Sequence, residues 1–190
     1  KKCVDQWAKF ASEIKLNRNH HTTSHTDNDI SYLLPHKYST LGPGIAVADV
    51  NGDQLDDFYV TKAKNGSGGL FFQSKNGKLQ RQEQAVFSSF KESEETNVHF
   101  FDANKDGFQD LYIGMSGNEW PEGHKNLRDR LLINDGKGNF KDESFRLPAF
   151  YQHTGAITST DFDKDGDEDL FIGNHFISGK YGFSSQSYLL

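Results

Sequence analysis

Three nine-residue windows of this chain place short oxygen-bearing side chains at alternate positions. They read Asp49, Asn51, Asp53 and Asp57; Asp102, Asn104, Asp106 and Asp110; and Asp161, Asp163, Asp165 and Asp169, which are positions 1, 3, 5 and 9 of each window. That donor set suits a hard cation such as Ca²⁺, which takes six to eight oxygens that alternate residues of a tight loop can turn inward. Position 7, occupied by Leu55, Phe108 and Asp167, can add a backbone carbonyl. Gly107 and Gly166 stand at position 6, where the chain must bend sharply; Gln54 stands there in the first window, so that loop must either strain its backbone or differ. Twelve of the 18 Asp lie in these windows, so without divalent ions each would crowd like charges. Up to three bound Ca²⁺ would offset the formal net charge of −6. Asp, Asn and Gly also dominate turns that bind nothing. Turn preference accounts for one such residue, however, and not for one spacing repeated three times. An EF-hand is disfavoured, because position 12 holds Val60, Ile113 and Ile172 in place of a bidentate Glu, and strand-like residues flank each loop.

The windows sit inside longer repeats. Gly44 to Thr61, Asn97 to Gly114 and Ala156 to Gly173 align in register, with successive first aspartates 53 and 59 residues apart, a period suited to stacked or radial units of four strands. Each hairpin is followed by a short apolar run at Leu70 to Phe72, Leu131 to Ile133 or Tyr188 to Leu190. Glycine turns then follow at Asn76-Gly77 and Asp135-Gly136-Lys137-Gly138, opening strands over Lys78 to Gln82 and Asn139 to Glu143. The expected fold is all-β, with about two and three-quarter four-stranded antiparallel units: residues 33–96, 97–152 and a shortened 153–190, after a lead-in over 1–32. Within the lead-in, Val4 to Ile14 reads equally as a short amphipathic helix or an outer strand. Eighteen Gly against four Pro and one Met agree with many tight turns. Only 34% of residues are apolar, yet 13% are aromatic, which suits a folded, turn-rich protein rather than a disordered one.

Composition excludes several function classes. Twenty-seven acids against 21 Lys and Arg argue against a nucleic-acid or anionic-membrane surface. Cys3 is the sole cysteine, which rules out an internal disulfide and a Cys-based zinc site. No run approaches the roughly 18 apolar residues of a membrane span. The chain opens at Lys1 rather than Met, and we read it as a processed or excised piece. His20, His21, His25, Asp27 and Asp29 lie in a Thr- and Ser-rich stretch that reads as a solvated loop. His99 and His153, at first strands, read as packed or hydrogen-bonded histidines rather than catalytic bases. Serine-elbow, phosphate-loop and His-Glu-x-x-His patterns are missing from the sequence.

The loops with their flanks resemble FG-GAP or VCBS repeats, the calcium-binding blades of integrin α-subunit-like β-propellers, from about Leu33 to the end of the chain. The stretches LLPHKYSTLGPGIAVADVNGD (Leu33 to Asp53) and GNEWPEGHKNLRDRLLINDGKGNF (Gly117 to Phe140) further resemble large secreted bacterial propeller proteins, some with an ASPIC/UnbV-type tail. The resemblance implies calcium ligation by Asp49, Asn51, Asp53, Asp57 and their counterparts. It also implies a complete ring of about seven blades, so this piece forms an incomplete ring that needs the remaining blades of a parent chain, or other copies, to close.

Two functions follow as expectations. One is a non-catalytic, extracellular or cell-surface module in which calcium rigidifies the first hairpin of each blade and rim loops recognise a protein or glycan. Its expected contact residues lie in the long insertion of the second unit, Trp120 foremost, with His124 and Arg128. The other is a propeller-based polysaccharide lyase or hydrolase, which would need Glu119, Glu122 and His124 to converge with Arg128 in a deep pocket.

Overall fold

The computed structural model describes residues 41–180 and 182–190, together with Asp27 and Tyr38; Val4 to Ile14 and His20, His21, His25 and Asp29 lie outside them. The described chain is all-β and folds as three antiparallel sheets. The first is β1 (Ile45–Ala48), β2 (Asp57–Val60), β3 (Gly69–Gln73) and β4 (Leu79–Gln82), in that order. The second repeats the pattern with β5 (Glu94–Phe101), β6 (Asp110–Ser116), β7 (Arg130–Asn134) and β8 (Phe140–Asp142). The third has β9 (Thr154–Thr160), β10 (Asp169–Asn174) and β11 (Tyr188–Leu189). The up-and-down order follows from the turn chemistry. Asx-rich loops close the first hairpins, and Gly77, Gly136 and Gly138 supply the positive φ angles of the later turns. A single helical turn, α1 (Ala85–Ser88), joins the first sheet to the second.

The sheets pack face to face, with β5 against β1 on one side and β9 on the other. They are blades of an incomplete propeller. One apolar core joins the first two blades, with Tyr59 and Leu70 meeting Phe100, Leu111, Ile113 and Leu132. A second joins the next two, with Phe101, Tyr112 and Leu131 meeting Leu170 and Ile172. Each fully buried side chain of this size contributes about 1.5–3 kcal/mol, so the blades owe their order to the contacts between them.

A polar clamp crosses each junction. Tyr59 on β2 donates its hydroxyl to Glu95 at the head of β5 (3.0 Å). At the equivalent place in the next blade, Tyr112 on β6 donates to Asp129 (2.8 Å), which also accepts from Thr154 at the head of β9 (2.6 Å) and from the Met115 N–H (2.7 Å). Burial outweighs these three donors and pushes the Asp129 carboxyl up to about 7. The folded state therefore holds a proton that the unfolded chain releases near 3.8. Its stabilising effect is full below that value and is lost as pH rises toward 7. Urea unfolding should show stability falling across this window, and Asp129→Asn should flatten that part of the slope while lowering stability overall.

Candidate metal centre

The three expected loops are the β1–β2, β5–β6 and β9–β10 connections, and all three are built on one template of nested side-chain-to-backbone turns. The position 1 carboxylate reaches across the loop: Asp49 accepts from the N–H groups of Gly52 (2.8 Å) and Gln54 (2.8 Å), Asp102 from Gly107 (2.8 Å), and Asp161 from Gly166 (3.2 Å). Position 3 accepts from the N–H of position 5, at 2.9, 3.0 and 3.1 Å for Asn51, Asn104 and Asp163. Position 5 accepts from position 7, so Asp53, Asp106 and Asp165 fix the N–H groups of Leu55, Phe108 and Asp167 at 2.9, 2.9 and 3.1 Å.

Such a spiral needs two left-handed residues, at positions 4 and 6. The first loop has Gly52 (φ 77°) and Gln54 (φ 67°), the second Lys105 (φ 60°) and Gly107 (φ 84°), and the third Lys164 (φ 66°) and Gly166 (φ 90°). Gln54 thus takes the strained conformation rather than altering the loop. Each loop holds one glycine and one strained residue, with the glycine moved to position 4 in the first. The position 4 requirement was missed in the sequence, where only the Asn51-Gly52 pair hinted at it.

Position 9 does something different. Asp57 and Asp110 are fully buried, and each joins three pieces of backbone. Asp57 opens β2 and accepts from Val50 N–H (3.3 Å) and Gln73 N–H (2.9 Å), while Asp110 opens β6 and accepts from Ala103 N–H (3.1 Å) and Asn134 N–H (2.8 Å). Burial raises the proton affinity of both, that of Asp110 to about 6. Asp169 accepts from Phe162 N–H (2.7 Å) and is only half-buried.

In the third loop the carboxylate oxygens of Asp161, Asp163 and Asp169 lie within 4.8 Å of one another. Oxygens that share one Ca²⁺ at 2.3–2.6 Å are at most about 5 Å apart, so this trio fits one coordination shell. Among the described residues it is the one such trio of acidic, His or Cys side chains. The first two loops have an amide at position 3, and their position 9 carboxylates are drawn to the third strand. The loops share a rim: Lys105 of the second pairs with Asp167 of the third at 3.3 Å.

The residues of the long insertion have separate partners. Trp120 is half-buried, stacked on His124 (4.3 Å, 7°) with the Lys64 ammonium 4.9 Å from its ring centre, and Lys64 also pairs with Glu119. His124 accepts from Asn126 N–H (3.2 Å), Glu122 from Gln152 (3.5 Å), and Arg128 donates to the Ser144 carbonyl (3.0 Å). Trp120 and Glu119 therefore meet the first blade through Lys64, His124 bonds within the insertion, and Arg128 turns away to the Ser144 segment. His99 bonds Ser159 (2.9 Å), while His153 is buried on Phe176 and pushed down to about 4 by that burial, so it stays neutral. The clamps at Glu95 and Asp129 escaped the sequence reading because neither carboxylate belongs to a repeated window.

If the left-handed turn at position 6 strains the first loop, Gln54→Gly should stabilise the protein by about 0.5–1 kcal/mol. Gly107→Ala should destabilise it by about 1 kcal/mol. Opposite shifts of the urea midpoint are expected, and a common direction would contradict the strain argument.

No curated protein matches the chain. The family model described as an FG-GAP-like repeat matches residues 49–113, the stretch that runs from the first aspartate of the first loop through the second loop and into β6, so that stretch is similar to an FG-GAP-like repeat.

Proposed function

We propose that this chain is a non-catalytic, calcium-binding propeller module of the integrin α-like kind, secreted by or displayed on a bacterium, whose rim loops recognise an extracellular protein or glycan. The observation that carries the reading is the convergence of Asp161, Asp163 and Asp169 on a loop template that recurs in the first two blades. By that recurrence Asp49, Asn51, Asp53 and Asp57, and Asp102, Asn104, Asp106 and Asp110, form the other two sites, with carbonyls from Leu55, Phe108 and Asp167. The ion supplies positive charge where each blade crowds carboxylates. The rest belongs to the chain: the nested turns preorganise positions 1, 3 and 5, and the position 9 carboxylate transmits their placement to the strands. Oxygen-only donors favour calcium over zinc or copper. Such a module needs no catalytic group, and the described acids, His124 and Arg128 of the insertion are engaged with separate partners.

At the weak affinities of extracellular modules, roughly 10⁻⁴–10⁻³ M, about 10 mM calcium gives ~1.5–3 kcal/mol of linkage per site. For a chain of this size that raises Tm by several degrees. Differential scanning calorimetry with calcium and with EDTA should show that increment, and Asp163→Ala should reduce it by about a third while the EDTA curve moves little. A calcium increment of zero would reduce the loops to turns that stand without metal. A glycan array and a pull-down, each with and without EDTA, then test recognition: binding that EDTA abolishes is expected.

A further inference from the structure

A chain of buried hydrogen bonds links the first two candidate sites. It begins at Asp57, position 9 of the first loop, which accepts from the Val50 N–H (3.3 Å). The carbonyl of the same Val50 accepts from the Asn134 side-chain amide (2.8 Å), and the Asn134 N–H is donated to Asp110, position 9 of the second loop (2.8 Å). None of these four residues is more than 2% exposed. The two position 9 carboxylates are therefore joined across the junction between the blades through Val50 and Asn134 alone.

Asn134, the last residue of β7, has no bonding capacity to spare. Its amide nitrogen also donates to the Gln109 carbonyl of the second loop (3.1 Å), and its amide oxygen accepts from the N–H groups of Gly136 (3.2 Å) and Gly138 (3.0 Å) in the turn that follows. That accounts for both donors and both acceptor sites of the side chain. Each residue it grips adjoins candidate metal donors. Val50 stands between Asp49 and Asn51, positions 1 and 3 of the first loop, and Gln109 stands between Phe108 and Asp110, positions 7 and 9 of the second. The Phe108 ring in turn lies against Gly136. A shift of Gln109 and Asp110 that left Val50 in place would strand a buried donor or carbonyl, at a penalty.

The two loops thus have to order together. Ordering one fixes the shared amide, so the other then gives up less conformational freedom, and a gain of this kind is reciprocal. Resting on the calcium reading proposed above, we infer that Asn134 couples the first and second sites, so that calcium in either loop raises the affinity of the other. Asn134 ligates nothing in this scheme. It is a positioning residue, acting through Val50 on one side and through Gln109 and Asp110 on the other.

Calcium titrations of the 190-residue chain, followed by proton–nitrogen NMR, test this, with the Gly52 amide reporting on the first loop and the Gly107 amide on the second. Asp53→Ala removes an exposed donor of the first loop. It should weaken calcium binding at the second loop by about five- to tenfold, the lower end of the usual range for coupled sites. Reciprocity requires Asp106→Ala to weaken the first loop by the same factor. Both variants keep Asn134, so they test the coupling even where a change at Asn134 unfolds the chain. In Asn134→Ser the effect of Asp53→Ala on the second loop should fall below about twofold, whereas loss of a merely structural residue would lower both affinities and keep their ratio. A wild type in which neither glycine responds to calcium would overturn the calcium reading, and this inference with it. Calcium binding at both loops, with Asp53→Ala changing the second by less than about twofold or with Asn134→Ser keeping the full effect, would overturn the coupling alone.

Discussion

A buried carboxylate at the foot of a hairpin, holding three backbone segments at once, is the constraint on which the first two blades depend. Asp57 and Asp110 each begin a second strand, receive the N–H of the residue that follows the first loop position, and receive the N–H that ends the third strand. Desolvating a carboxylate is costly, and its raised proton affinity records that cost. The backbone donors offset it. Because the same side chain is loop position 9, the register of the blade and the shape of the acidic loop are set together, and neither can shift without exposing an unpaired group in the core.

From that anchor the loops are joined to one another as well as to their own strands. Asn134, whose N–H meets Asp110, turns its amide to the Val50 carbonyl of the neighbouring blade at 2.8 Å. The Phe108 ring of the second loop lies on Gly136, and Phe72 of the first blade lies on Gly138, so closely that a Cβ at either glycine would come within 2.6 Å of the ring. Gly136 and Gly138 are therefore fixed by neighbours as much as by turn conformation. On the far side of the blades the Tyr59 and Tyr112 clamps do the equivalent task with hydroxyls and buried acids. A rim of preorganised oxygens and a set of rigid junctions are thus two ends of one packing arrangement.

Much of this was legible in the sequence because its physics is local. The hairpins, the Asn-Gly and Asp-Gly turns and the apolar runs produced strands within a residue or so of those observed: Lys78 to Gln82 became Leu79–Gln82, and Asn139 to Glu143 became Phe140–Asp142. The loop positions were readable from spacing alone. What escaped was set by tertiary contact. No spacing rule says that Asp57 and Asp110 are drawn into the core while Asp169 stays with its loop, or that Asp129, outside any repeat, bridges Tyr112 to Thr154. The left-handed Lys105 and Lys164 were hidden because lysine rarely takes that conformation. Trp120, expected at a contact surface, is half-buried, stacked on His124 with Lys64 over its ring.

The most direct test of the account is a crystallographic map from crystals grown in calcium, with anomalous differences recorded. The account predicts a strong peak inside the third loop, ligated by Asp161, Asp163 and Asp169 at about 2.3–2.6 Å, and matching peaks in the loops that begin at Asp49 and Asp102. A map with only water-sized density at all three loops would contradict it.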